Sequence, residues 1–123
     1  MIFQPASDIQ NRINLIVKKT GMIYIDPERI KCFRSFGSKS KAIARVWSFP
    51  KIWQIALNTK PHYLIEVISE RFDKLDQEKK DKVLIHELLH IPLNFSGSLL
   101  PHKSRGRTIE PKVVNKLFKK MEG

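Results

Sequence analysis

The chain has 123 residues, and 23 Lys+Arg against 12 Asp+Glu give it a formal charge of +11 and a sequence pI near 10.0. That length predicts one domain, 1–123, and a composition 41% hydrophobic with two Trp and seven Phe is that of a folded protein, not a disordered polycation. The single cysteine, Cys32, excludes a disulfide framework and paired-thiolate zinc sites, and short apolar runs such as Leu64-Ile65 exclude a spanning helix of ~20 residues.

Those short runs leave no membrane partner expected, and the N-terminal MIFQPASDIQ lacks a basic segment followed by an apolar stretch and a small-residue cleavage site, so a cytoplasmic location is expected. Ser7-Asp8-Ile9-Gln10 reads as a capping box, in which the Ser7 hydroxyl and the Gln10 side chain satisfy each other's backbone donors. Ile9, Ile13, Ile16 and Val17 recur at helical spacing before Gly21, which predicts a first helix from about Asp8 to Lys19. Ile30, Cys32, Phe33 and Phe36 lie in a β-favouring stretch that ends at Gly37-Ser38, and Ser38 to Lys41 is a turn by composition. Ala42 to Phe49 and Ile52 to Leu57 are β-branched and aromatic and are parted by Pro50. They suit two strands or one broken strand, while Ile52, Ile55 and Ala56 also fit a helix face.

Asn58 to Pro61 is a turn, and Tyr63 to Ile68 is a strong strand candidate. Asp76 reads as an N-cap for a helix of about sixteen residues whose apolar stripe, Val83-Leu84-Ile85 with Leu88-Leu89, runs up to Pro92. Leu93 to Gly106 is expected to be a loop. A last helix begins near Pro111, burying Val113, Val114, Leu117, Phe118 and Met121 and leaving Lys112, Lys116, Lys119 and Lys120 in water.

The residues that carry chemistry are His86-Glu87-Leu88-Leu89-His90, an HExxH sequence inside the predicted site helix. Positions four apart share a helix face, so both imidazoles can turn to one Zn²⁺ while Glu87 flanks them. The metal lowers the pKa of a bound water toward neutrality, and Glu87 is placed to take its proton and later deliver it to a leaving amine. At this composition the pattern is expected by chance roughly 0.007 times, so accident is a poor explanation. A catalytic zinc usually takes three protein ligands, and the third must come from downstream. His102, past a loop and just after Pro101, is the first candidate, and Glu110 is its competitor. His62 reads as structural or solvent-exposed, and Cys32 as a small buried apolar residue.

The stretch IHELLHIPLNFSGSLLPH, Ile85 to His102, resembles the zinc metallopeptidases of archaea and phages, in which HELLHIP on a helix is followed by a Pro-His carrying the third ligand. ARVWSFPKIWQIAL and HYLIEVISERFDKL are also similar to that group, so the likeness spans most of Ser38 to His102. More distantly the arrangement is similar to SprT-like and minimal zincin domains. The resemblance implies an α+β, zincin-like fold: a small, mostly antiparallel sheet packed on an N-terminal helix and the HExxH helix, plus a C-terminal helix. The compact HExxHxxGxxH spacing is absent, because Phe95 and Ser96 stand where its third histidine would fall.

The expected function is therefore a zinc metalloendopeptidase acting on peptide or protein substrates, with Zn²⁺ on His86, His90 and His102. Tyr63 to Ile68, as an upper edge strand, would bind extended substrate by β-augmentation, and Glu66 on it reads as a solvated outward charge, with a cleft-facing position as the alternative. A different class competes: a basic nucleic-acid-binding module with a structural metal, or a DNA-associated SprT-like protease. Its support is the run Arg29 to Lys51, with seven basic residues and no acid after Arg29, and the run Lys103 to Lys120. A third possibility is that Lys103 to Gly123 covers the cleft as an autoinhibitory tail. Oligomeric state carries no signal in the sequence.

Overall fold

Ile9, Ile13, Ile16 and Val17 bury one stripe of helix α1 (Ser7–Thr20), which Gly21 stops in the left-handed conformation at φ +73. The structure is a computed structural model and describes residues 1–101, 103–104 and 107–122. The capping box does not form. Buried Ala6 is the N-cap residue, its N–H donates to the Cys32 carbonyl (3.0 Å), and no side chain caps the helix. The chain thus enters α1 from a pairing with the sheet, and the Gln10 amide donates instead to the Pro27 carbonyl (3.2 Å).

The sheet holds β1 (Ile2–Pro5), β2 (Ile30–Phe36), β3 (Ala44–Trp47) and β4 (Tyr63–Ile68) in the order β1-β2-β4-β3. β2 and β4 run parallel, and both outer pairings are antiparallel. β1 escapes sequence reading because all four of its residues are exposed, so no apolar alternation marks it. β4 is not the edge strand expected of it: it lies between β2 and β3, and β3 forms the edge. Tyr63, Ile65 and Val67 alternate into the core.

Glu66, on the opposite face of β4, is only 1% exposed, which corrects its reading as an outward charge. Its cross-strand partner Arg45 donates to Oε1 (2.8 Å), as does Trp47 Nε1 (3.0 Å), and the Arg45 guanidinium lies over the Trp47 ring. Burial pushes the Glu66 carboxyl up, but the hydrogen bonds from Arg45 and Trp47 help to outweigh it and hold the group below its ordinary range.

Ile52 to Leu57 resolves as a helix, α2 (Lys51–Leu57), because Pro50 supplies a helix-compatible φ of −55 and cannot donate to a strand ladder. A short helix, α3 (Ser69–Phe72), buries Phe72. In α4 (Gln77–Leu88) the Asp76 carboxylate accepts from the Lys79 N–H (2.9 Å), the N-cap expected from sequence. The α-helix ends at Leu88, short of Pro92. Proline cannot donate to the Leu88 carbonyl, and Ile91 N does so instead in a tightened final turn (3.0 Å). Arg12 donates to buried Asp81 (2.7 Å), and this ion pair fastens α1 to α4.

β5 (Lys103–Ser104), inside the segment expected to be loop, pairs antiparallel with β6 (Arg107–Thr108), just beyond it. Helix α5 (Pro111–Glu122) buries Val114 and Met121 in the same core cluster as α1 and α4. This helix is a wall of the core, so a detachable tail is not what its packing describes. Cys32 is buried, and burial pushes its thiol up to about 12. Among the described residues, no helix is long and apolar enough to cross a membrane.

Candidate metal centre

Helix α4 carries His86 and Glu87 on its last turn, with His90 just beyond its end, so the HExxH segment straddles the helix terminus. The tightened turn, in which His90 N donates to the Glu87 carbonyl (3.1 Å), still brings the two imidazoles together: their centroids are 5.2 Å apart at an interplanar angle of 74°. One ligand atom from each of His86, Glu87 and His90 lies within 4.8 Å of the others, a grouping that could hold a metal ion.

The loop that follows fixes the second imidazole. His90 Nδ1 lies 2.5 Å from the Leu100 carbonyl, and Leu100 N donates back to the His90 carbonyl (2.6 Å). A carbonyl can only accept, so Nδ1 carries the proton and Nε2 becomes the electron-pair nitrogen a divalent metal requires. Tyr63 holds the loop from below: its hydroxyl accepts from Gly97 N (2.8 Å) and donates to the Ser98 carbonyl (2.8 Å). Gln54 reaches across from α2 and donates to the Ser96 carbonyl (2.7 Å). None of these backbone acceptors has a sequence signature, so the clamp on His90 was not readable from spacing.

Glu87 is buried, and burial pushes its carboxyl up to about 7. Its Oε2 has no hydrogen-bond partner among the described residues. A buried carboxylate oxygen of this kind is costly unless a proton, a water or a cation meets it. Two imidazoles with an orphaned carboxylate oxygen beside them are a borderline-soft donor set that suits zinc or a neighbouring transition metal.

The three side chains line a cleft of about 850 Å³. Ala44 and Val46 of β3 form one wall, Leu99 to Pro101 another, and Val114 of α5 with Ile109 the third. Because Ile68 N donates to the Ile43 carbonyl (2.9 Å), Ala44 and Val46 turn their own N–H and C=O groups outward, away from β4. The cleft therefore has an open strand edge along one side.

The remaining sequence candidates separate. His102, expected as the third ligand, lies outside the described residues. Glu110 does not join the His86, Glu87 and His90 grouping. Its carboxylate lies 3.5 Å from Lys112 Nζ, and its carbonyl accepts from Val113 N and Val114 N at the start of α5. His62 Nδ1 contacts the Lys60 carbonyl (2.8 Å) and its ring meets Phe49 edge-on, apart from the site, as expected.

Comparison with known proteins gives one family. A family model described as "Putative phage metallopeptidase" matches residues 1–120. No curated protein and no solved structure matches the chain.

Proposed function

The chain belongs to the phage metallopeptidase family, and on that premise we propose that residues 1–123 form one minimal, zincin-like, zinc-dependent endopeptidase domain. The observation that carries this reading is the cluster of His86, Glu87 and His90, within 4.8 Å of one another, set in an apolar cleft beside an open strand edge. His86 and His90 would hold the metal through imidazole nitrogens, and His102, one residue beyond cleft-lining Pro101, would complete the set. Bound there, zinc supplies Lewis acidity at the scissile carbonyl and lowers the pKa of water in the site.

Glu87 takes the proton of the attacking water at its carboxylate and returns it to the leaving amine. Its place beside the two imidazoles in the cleft suits both transfers. An extended substrate pairs with Ala44 and Val46 of β3, in place of the β4 edge expected from sequence, and the apolar walls receive its side chains. The leaving amine and the new carboxylate depart to water, so the reaction needs no further co-reactant.

The test combines metal analysis with hydrolysis of an unfolded protein such as casein. Purified protein should hold about one zinc per chain. Glu87→Ala should keep that zinc and lose hydrolysis, whereas His90→Ala should lose both. Zinc-free protein, or full activity in the Glu87 variant, ends the reading. A second reading, binding of DNA or another polyanion, rests on α5, where Lys112, Lys116, Lys119 and Lys120 are all exposed. Affinity that falls steeply with salt supports it, and no binding at low salt removes it.

A further inference from the structure

Helix α2 gathers exposed apolar side chains on one short element. Every residue from Lys51 to Leu57 is exposed except Gln54. Ile52 is 73% exposed, Trp53 56%, Ile55 69% and Leu57 59%. Four large apolar side chains on one short helix exceed the scattered apolar exposure normal for a protein surface.

The helix is held in place without them. Gln54 Nε2 donates to the Phe49 carbonyl (2.9 Å) and to the Ser96 carbonyl (2.7 Å), and Phe49 N donates to the Gly97 carbonyl (2.7 Å). A polar anchor therefore fixes α2 to the body and leaves its apolar side chains facing out. At 100° per residue those four side chains cover an arc of about 200°, everything but the Gln54 side. A protein groove reads a narrower stripe at i, i+3, i+4 and i+7, whereas a fluid boundary of acyl chains and headgroups admits side chains over a wide arc.

The segment of sequence that carries the helix has charge of one sign. No Asp or Glu occurs between Glu28 and Glu66. Lys51 opens α2 and Lys60 follows it, both are exposed, and neither has an ion-pair partner among the described residues. Trp at the level of headgroups, Ile and Leu below it and Lys beside anionic phosphates is the chemistry of peripheral membrane attachment.

We propose that α2 is a membrane-docking element that seats this protein on an anionic lipid surface. The expectation of no membrane partner rested on the length needed to span, which a peripheral contact does not require. The inference is independent of the metal site.

The test is cosedimentation with phosphatidylcholine vesicles containing about a third phosphatidylglycerol, with a chelator present so that metal plays no part. The full chain is compared with an Ile52→Ser/Ile55→Ser variant, and tryptophan emission is followed in both on a Trp47→Phe background, so that it reports Trp53. The wild-type chain should sediment with the vesicles, shift its emission to the blue, and bind vesicles of phosphatidylcholine alone more weakly. The double variant should melt at the wild-type temperature and partition at least about tenfold more weakly. Three results overturn the proposal: no cosedimentation at low salt, equal binding by the double variant, or lipid-free self-association of the wild type that the substitutions abolish. The second would assign binding to net charge alone, and the third to a second copy of the chain.

Discussion

Replacing Gly97 by alanine asks whether the loop that clamps His90 is as narrowly determined as its hydrogen bonds imply. Gly97 sits at φ +96, and an added Cβ would overlap the Phe49 carbonyl oxygen and lie 2.5 Å from Gln54 Nε2. Neither neighbour can retreat freely: Phe49 O accepts from Gln54, and Phe49 N donates to Gly97 O. Gly21 provides the control, because it shares a positive φ, +73, but has nothing within 4 Å of its added Cβ. The left-handed backbone costs an L-residue about 1–2 kcal/mol at either site. Overpacking adds about 1–3 kcal/mol at Gly97 alone. Gly21→Ala should thus lose about 1–2 kcal/mol and Gly97→Ala about 2–5 kcal/mol, read from urea unfolding midpoints at equal m-value. Zinc affinity should weaken in Gly97→Ala and hold in Gly21→Ala. Equal losses in the two variants, or a Gly97→Ala loss under about 0.5 kcal/mol, would refute the steric argument.

Three further outcomes follow from other contacts. Tyr63→Phe removes the acceptor of Gly97 N and the donor to Ser98 O, and should cost about 1–3 kcal/mol in unfolding free energy because a buried N–H is left unpaired. Arg34 donates to Asp8 and Asp73, and those bonds hold both carboxyls below the ordinary 3.8. Stability from a depressed carboxyl is present above the unfolded pKa and lost as pH falls through the folded one. Wild type should therefore lose stability as pH drops below about 4, and Arg34→Met should show a shallower acid loss in urea midpoints. On the proposed metal site, Zn²⁺ at about a hundred times its Kd should raise unfolding free energy by about 2.7 kcal/mol. Calorimetry should find no such gain in His90→Ala.

Legibility from sequence followed the reach of each interaction. α1, β2, β4 and α5 were readable because their apolar residues repeat at the period of the element that buries them. β1 and the order of the sheet were not, since pairing partners far apart in sequence leave no local trace. Glu66 is the instructive miss: an acid inside YLIEVI is legible as buried only when Arg45 is known to stand opposite it. In the site, the HExxH spacing was enough to nominate His86, Glu87 and His90, although His90 stands past the end of α4. The Leu100 clamp and the outward edge of β3 are backbone features, and the side chains at those positions do not encode them.

The end of α4 at Leu88 changes how the candidate site is held. Had the helix continued to Pro92, its own ladder would have set the angle between the two imidazoles. Instead His90 lies past the last α-helical residue, and its ring is oriented by a carbonyl ten residues later. That carbonyl belongs to a loop whose anchors are Tyr63 of β4 and Gln54 of α2. The first imidazole is thus positioned by the helix and the second by the sheet and by α2, so the geometry of the candidate site depends on elements outside the HExxH segment. Substitutions at Gly97 or Tyr63 should accordingly weaken metal binding, while a cut in the α4 ladder upstream, at Val83→Pro, should disturb His86 and the core together.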